Sequence, residues 1–571
     1  MDIIGEDPSI GYIDANFWVP KTQVNVEGVK KALTFPIFRG KDREVVELPL
    51  YMEAEHHLVV PREFWKQGMF NFEVLDFRPR RYKKTNIVSR ILLDHKRLDD
   101  GTLVPTGLTI QREALDAMLS VRGGTLQLRC GGGKTPVSLE GITRLQVPAL
   151  IVMDNMQLVL QWQKAIEEFL YVPSGVGLVG DGVFDWEGRS IVLATYQTLA
   201  QKRSSLPEAF RRWFGVVIFE ESHHLDAPTF SRSADLVYGR RYGLSATPIR
   251  EDGLHVIHEF HVGSVFYKYL KQELTPRIYF FWTGLELDMS DPETVANTHT
   301  DAGELHLSKL AVWFGRWPKR LDLVLKEVCR AQAEGRKILF LSNSVDELVN
   351  LLALYNGLTD LYTDIPEPDL LPNEPPPLKL TKLQMAALLE NKEAFRKKIP
   401  NATTATQEEL RKKIEAIDLA IAQHETYKRT SKIMNKAQRE YLAKLLAMPS
   451  DAGLMIHKVS PEERMRMLRA NSITFAIMKY GREGLDDKAI DTVMLSSPIS
   501  KEGGIQQSMG RALRFMEGKK VPIYMVFEDN IFPIMSMCKK MRKHLRNWPV
   551  SDGGPYEYEY VGFPDSTRRT R

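Results

Sequence analysis

Three cysteines among 571 residues leave little room for cysteine chemistry. Cys130, Cys329 and Cys538 are far apart and show neither disulfide nor metal-ligand spacing, which argues against a disulfide framework or a structural zinc and for a reducing compartment. No run of about 18 apolar residues occurs, so a membrane-spanning helix is not expected. The N-terminal Met1-Asp-Ile-Ile-Gly-Glu-Asp7 is acidic and has no apolar signal core. Net charge is also scarce. With 77 Lys and Arg against 73 Asp and Glu, the chain carries only +4, so it is not a polycation and any surface for nucleic acid must be local.

What is present is a globular composition, 43% hydrophobic, long enough for two to four domains. Residues 1–85 mix short strand-like runs with Pro, Gly and charge, as in a small α+β domain. It ends in the basic cluster Arg78-Pro-Arg-Arg-Tyr-Lys-Lys84, either a solvated linker or a nucleic-acid contact. Residues 86–275 alternate strands (Thr125–Leu128, Ala149–Met153, Ser190–Ala194, Val216–Phe219) with helical segments, which implies a parallel sheet covered on both faces. Residues 276–545 repeat the pattern. They are interrupted over 366–450 by a proline-rich stretch and a helical pair that breaks near Pro400. That pair is either a charged hairpin packed on its host or, from its basic excess, an arm for a polyanion. Residues 546–571 read as a partly disordered tail.

Four stretches carry chemistry. Leu126-Gln-Leu-Arg-Cys-Gly131-Gly132-Gly133-Lys134-Thr135 combines a strand, a glycine loop and a helix start. Loop N–H groups and the helix N-terminus suit phosphate oxygens, Lys134 would reach the β- and γ-phosphates, and the Thr135 hydroxyl would hold Mg²⁺. Val216-Val-Ile-Phe-Glu220-Glu221-Ser-His223-His224 feeds an apolar strand into paired carboxylates. Glu220 would help to hold Mg²⁺, Glu221 would polarise the attacking water, and His223 would link the site to the other domain by hydrogen bonding. Gly243-Leu-Ser245-Ala-Thr247-Pro248 offers hydroxyls at a strand end. Gln507-Ser-Met-Gly-Arg511-Ala-Leu-Arg514 sets two arginines three apart, expected on one helix face, where they could stabilise charge in a phosphoryl-transfer transition state. Taken singly, each has an ordinary alternative: a glycine turn, two solvated acids, a loop, a surface arginine face.

Their order and spacing resemble the motif series of superfamily-2 helicases over residues 105–530, the inserted helices excepted. The chain further resembles the XPB-like, phage-type branch, because Arg250-Glu251-Asp252 follows Pro248 after one residue and because the N-terminal region and the inserted helices stand where that branch has a DNA-recognition domain and a thumb. The resemblance implies two tandem RecA-like domains. It implies that Gln111 reads adenine, that Gln507 joins Arg511 and Arg514 at the nucleotide, and that Gly484 and Asp486 in Gly481-Arg-Glu-Gly-Leu-Asp486 couple nucleotide to nucleic acid. It implies strand contacts for Trp162, Thr195, Gln197 and Arg250, with which Asn343 is grouped. Glu220 stands where Asp is usual, one methylene longer, so slower hydrolysis or a retracted backbone is expected. Asp154-Asn155 replaces the small residues common after that strand.

The function implied is an ATP- and Mg²⁺-dependent DNA helicase or translocase of 3′-to-5′ polarity. It would act on single-stranded, duplex or junction DNA, with recombination or replication proteins as partners and no membrane. A cytoplasmic location is expected, the host's cytoplasm for a phage-encoded chain. An RNA helicase, or a duplex translocase that does not unwind, remains the alternative.

Overall fold

The computed structural model describes all residues except 1–6, 40–43, 65–70, 98–100, 227, 232, 247–253, 373, 402, 483–486 and 563–571. Two compact units divide the chain: residues 1–286, 336–341 and 478–571 form the first, and 287–335 with 342–477 the second.

In the first unit the N-terminal region forms a five-stranded sheet that includes Gly11–Ile13, Phe17–Pro20 and His57–Val60. Two buried arginines tie this region to the domain that follows. Arg62 Nη1 donates to the carbonyls of Tyr238 and Gly239, each at 3.0 Å, and Arg241 donates to those of Ala15, Val237 and His261. Removing one partner from such a buried charged set costs about 3–5 kcal/mol.

Next comes the helix α1 (Ile110–Ser120), then the strand β1 (Gly123–Leu128), α2 (Lys134–Leu145), β2 (Ala149–Met153) and α3 (Met156–Phe169). The strands β3 (Val176–Gly180), β4 (Val183–Asp185) and β5 (Ile191–Thr195) lead to α4 (Tyr196–Lys202). The strands β6 (Val216–Glu220), β7 (Arg240–Ser245) and β8 (Val265–Tyr269) complete an eight-stranded sheet of order β4-β3-β5-β2-β6-β7-β1-β8. Only the β3–β4 pair is antiparallel. All five residues of β2, β5 and β6 are buried, as strands covered on both faces require. Asn155 caps α3 by accepting from the Leu158 N–H at 3.1 Å, a local reason for a polar residue after β2. Because β6, β7 and β1 are neighbours, the carboxylate, Ser245 and glycine loops all leave the same sheet edge. Register pairs Glu220 with Leu244, and Leu244 with Leu126. Strand spacing of about 4.8 Å brings the outer two loops within about 10 Å.

The same unit holds β9 (Arg277–Trp282) and, up to Leu341, β10 (Ile338–Ser342). The second unit supplies α5 (Pro318–Ala333), α6 (Val345–Tyr355), α7 (Lys382–Lys398), α8 (Thr404–Ala447), β11 (Ala452–Met455) and β12 (Ile473–Ile477), the last two paired in parallel. In the first unit follow β13 (Thr492–Leu495), α9 (Glu502–Ala512), β14 (Ile523–Glu528), α10 (Phe532–Arg546) and β15 (Tyr558–Val561). There β10, β13, β14, β9 and β15 lie side by side, all parallel. Two parallel-sheet, helix-covered domains in tandem are the RecA-like arrangement expected.

In the second unit a buried Arg320–Glu347 pair at 2.6 Å joins α5 to α6. The helical pair α7–α8 breaks at Pro400 as expected, and Thr381 with Gln384 forms a capping box on α7. The proline-rich stretch runs back along α8: the Leu378 N–H donates to the Gln423 carbonyl at 3.0 Å and Arg429 binds Glu374. Part of the tail is ordered, since Tyr558–Val561 pairs with β9 and Trp548 is buried. Its Tyr-Glu alternation puts alternate tyrosines on the sheet. Residues 563–571 of the tail lie outside the described residues.

Candidate functional site

The glycine loop closes on itself through a Gly132 N–H to Arg129 carbonyl bond of 3.0 Å. Gly133 ends the loop as the N-cap of α2 with φ of 88°, a left-handed backbone that a side chain would strain. A β-carbon there would also collide with the Gln111 carboxamide. Gln111 is in turn fixed by accepting from the Asp94 N–H at 2.7 Å, while its own N–H donates to Asp94 Oδ1 at 2.9 Å. Gln111 therefore sits on the glycine loop. Thr135 lies in the first turn of α2, half-buried beside Lys134.

Glu220 is the buried last residue of β6, and Glu221 turns the chain with a left-handed φ of 45°, costing about 1–3 kcal/mol for a residue that is not glycine. Both carboxylates keep one buried oxygen with no hydrogen-bond partner. Burial, reinforced by the charge of Glu221 and opposed by Lys134, pushes the Glu220 carboxyl up to about 8. For Glu221 burial acts upward, but Lys134, His223, His224 and Arg511 together hold it below the usual carboxylate range. Burial likewise works to lower the Lys134 ammonium, and the acids, Glu221 foremost, outweigh it and leave it raised. The result is one cluster in which Glu221 and Lys134 carry opposed charges, the protonated form of Glu220 is favoured, and one Glu220 oxygen has no hydrogen-bond partner.

His223 Nδ1 lies 3.4 Å from Ser245 Oγ and 3.4 Å from Glu221 Oε2, so the β7 loop touches the acidic loop as its hydroxyl chemistry suggested. The Tyr196 hydroxyl donates to the Glu220 carbonyl at 2.9 Å from a fully buried position. Burial, then the nearby carboxylates, hold that phenol well above its usual range, so it remains a donor. Asp226 accepts from both the main-chain N–H and Nδ1 of His258, at 3.3 and 2.9 Å, latching the loop behind the carboxylates. Sequence reasoning missed Tyr196 and the Asp226–His258 pair. The tyrosine lies inside the quoted Thr195–Gln197 stretch, but nothing local announces a partner 24 residues away.

Gln507 and Arg511 are buried in α9. The field of Arg511 acts on both Lys134 and Glu221, which brings it to the nucleotide loop. A β-carbon on Gly510 would lie 2.9 Å from Cys130 Cβ, so glycine is what lets α9 approach the loop. Arg514 is corrected in one respect: α9 ends at Ala512, so the two arginines do not share a helix face. The turn after the helix still carries Arg514 to the loop, where a β-carbon on Gly131 would lie 3.4 Å from its Cγ.

The expected strand contacts divide. Trp162 is 3% exposed inside the apolar core beneath α3, so its ring packs rather than faces solvent, and the expectation of a nucleic-acid contact is withdrawn. Thr195 is buried as the cap of α4, accepting from the Thr198 N–H at 3.3 Å. Gln197 is exposed, as is Asn343 in the second unit. Asp154 pairs with Lys479 at 3.3 Å, which gives the acid after β2 a partner. Thr247, Arg250, Gly484 and Asp486 lie outside the described residues.

Among the described residues no group of three His, Cys, Asp or Glu side chains could hold a metal. The Glu220 oxygen without a hydrogen-bond partner, in the charge cluster with Lys134, instead fits a hard cation that keeps its waters and shares phosphate oxygens, which is how Mg²⁺ binds with nucleotides. No described helix is long and apolar enough to cross a membrane.

A parallel α/β sheet with phosphate loop, acidic loop and arginine helix at one edge defines a nucleoside-triphosphate-binding class. Residues 106–250 match the family model described as type III restriction enzyme, res subunit. The chain is 29% identical over 216 residues, 37% of its length and 47% of the relative's, to the DNA 3′-5′ translocase XPB2 of Sulfurisphaera tokodaii. It is 35% identical over 153 residues, 25% of its length, to the DNA 3′-5′ helicase XPB of Kineococcus radiotolerans, and 31% identical over 152 residues, also 25%, to that of Mycobacterium tuberculosis. These stretches cover 26% and 27% of those relatives, so the chain spans less than half the length of each of the three. The likenesses bear out the resemblance to superfamily-2 DNA helicases of the XPB-like branch.

Proposed function

We propose that the protein is an ATP-driven DNA helicase or translocase. The observation that carries this is the convergence of Lys134, the open carboxylates Glu220 and Glu221, and Arg511 and Arg514 on one glycine loop. Lys134 and the loop N–H groups would bind the β- and γ-phosphates. Thr135 and Glu220 would hold Mg²⁺, which supplies charge neutralisation across those phosphates when bound. Glu221, kept ionised by its basic neighbours, would accept a proton from the attacking water. Arg511 and Arg514 would stabilise the charge on the transferred group. Tyr196 ties the Glu220 main chain to α4, so a strand held near Gln197 is connected to the carboxylates by one hydrogen bond.

The finer reading takes 1–85 as a DNA-recognition domain, 86–275 and 276–545 as the two motor domains with the insertion 366–450 as a thumb, and 546–571 as a tail. It takes 3′-to-5′ polarity, which the matched relatives' names carry, junction DNA as substrate, recombination or replication proteins as partners, and a cytoplasmic location. Steady-state ATP hydrolysis with Mg²⁺, measured alone and with single-stranded DNA, duplex DNA and RNA, tests it. DNA should stimulate most. Stimulation by RNA alone would move the assignment to an RNA helicase.

A further inference from the structure

The helix α10 has no motif and no role in the nucleotide chemistry, yet its charge is unusual for a nearly neutral chain. Its fifteen residues include Lys539, Lys540, Arg542, Lys543 and Arg546 and no acid. Ile534, Cys538, Met541 and Leu545 form the buried face, at helical spacing. The opposite face presents Phe532, Lys539, Lys540 and Lys543, all exposed. Phe532 stands out at 78% exposure. Among the described residues none of the three lysines has an ion pair. The two arginines are engaged otherwise. Arg542 binds Glu528 at 2.6 Å, and Arg546 lies over the Tyr558 ring, next to Glu559 in β15.

A lysine stripe with an aromatic ring in line is the pairing that grips a single strand: cations track the phosphates and the ring stacks a base. We propose that the outer face of α10 is a binding site for single-stranded nucleic acid, with Lys539, Lys540 and Lys543 on successive phosphates and Phe532 under an unpaired base. Charge complementarity selects this occupant, since three unpaired cations face solvent with no acid on their helix. It rests on the nucleic-acid motor reading and adds a contact outside every stretch that the sequence singled out.

The test is anisotropy of a labelled oligothymidine with the full chain across a salt series, for the parent, the Lys539→Gln/Lys540→Gln/Lys543→Gln variant and Phe532→Ala. All four side chains are exposed, and a thermal unfolding scan checks that α10 still packs. The triple variant should bind about ten-fold more weakly, with the slope of log affinity against log salt reduced by about 2. Phe532→Ala should bind single strands about ten-fold more weakly and duplex unchanged. Parental affinity and slope in the triple variant would overturn this proposal alone. A parent that binds no oligonucleotide would overturn the motor reading as well. Loss of binding to phosphatidylserine vesicles with oligonucleotide binding unchanged would overturn it in favour of a lipid surface.

Discussion

The nucleotide cluster and the two basic helices place charge by opposite rules. Around the glycine loop Lys134, Glu220, Glu221 and Arg511 are close enough to shift one another's protonation, and carboxylate oxygens stay open for a ligand. On α8 acids are interleaved with the bases, and Lys412–Glu408 at 3.5 Å, Lys413–Glu409 at 2.5 Å and Lys428–Glu425 at 2.7 Å pair one turn apart, while Lys392 of α7 pairs with Asp418 and, among the described residues, Arg411, Lys432, Arg439 and Lys444 of α8 have no ion pair. On α10 nothing answers the lysines. The inserted helices, whose bases are interleaved with acids, are therefore the weaker candidate for a polyanion, although the sequence drew attention to them first. Counting the acids on each helix separates the two where counting the bases does not.

If the cluster is a shared electrostatic device, single substitutions there should act strongly. Arg511→Ala and Arg514→Ala should each lower the ATP turnover rate about 10³-fold in a steady-state assay. A loss under about ten-fold for both would leave the arginines as packing residues of α9.

If the surface charges act additively, effects there should be smaller and salt-dependent. Deleting residues 378–448 should reduce junction unwinding more than nucleic-acid-free ATP hydrolysis, while changing the salt slope of oligonucleotide binding less than the triple α10 variant does. A larger slope change from the deletion would reverse the ranking of the two helices.

The smallest effect separates buried from exposed charge by pH. Burial raises the Glu220 carboxyl from 4.5 to about 8, so folding favours its protonated form. Stability from this group is complete below the unfolded value and is lost as pH climbs through about 8. Free of nucleotide and magnesium, the parent should show an unfolding midpoint that falls between pH 5 and 8 relative to Glu220→Gln. Identical pH profiles would show that Glu220 is solvated.

How much was legible follows the same division. Apolar runs such as Ala149–Met153 and the glycine loop are local patterns, and the strands and the α2 start fall where they indicate. Parallel order then carries the motif loops to one edge without further information. What was not legible depends on distance or on ambiguity. Trp162 fits an amphipathic core helix as well as a contact motif, and burial decides for the core. Arg514 looked helical because the spacing ignored the end of α9 at Ala512. The polar Tyr-Glu alternation of β15 resembles a tail until it finds β9 as a partner. Lysines on α10 are ordinary one by one, and a helix face without acids is what distinguishes them.

The most direct measurement is steady-state ATP hydrolysis by the parent and Lys134→Ala, each with and without single-stranded DNA, alongside oligonucleotide affinity for both. The account predicts DNA-stimulated hydrolysis in the parent, none in the variant, and similar DNA affinity. Hydrolysis by Lys134→Ala at the parental DNA-stimulated rate would contradict it.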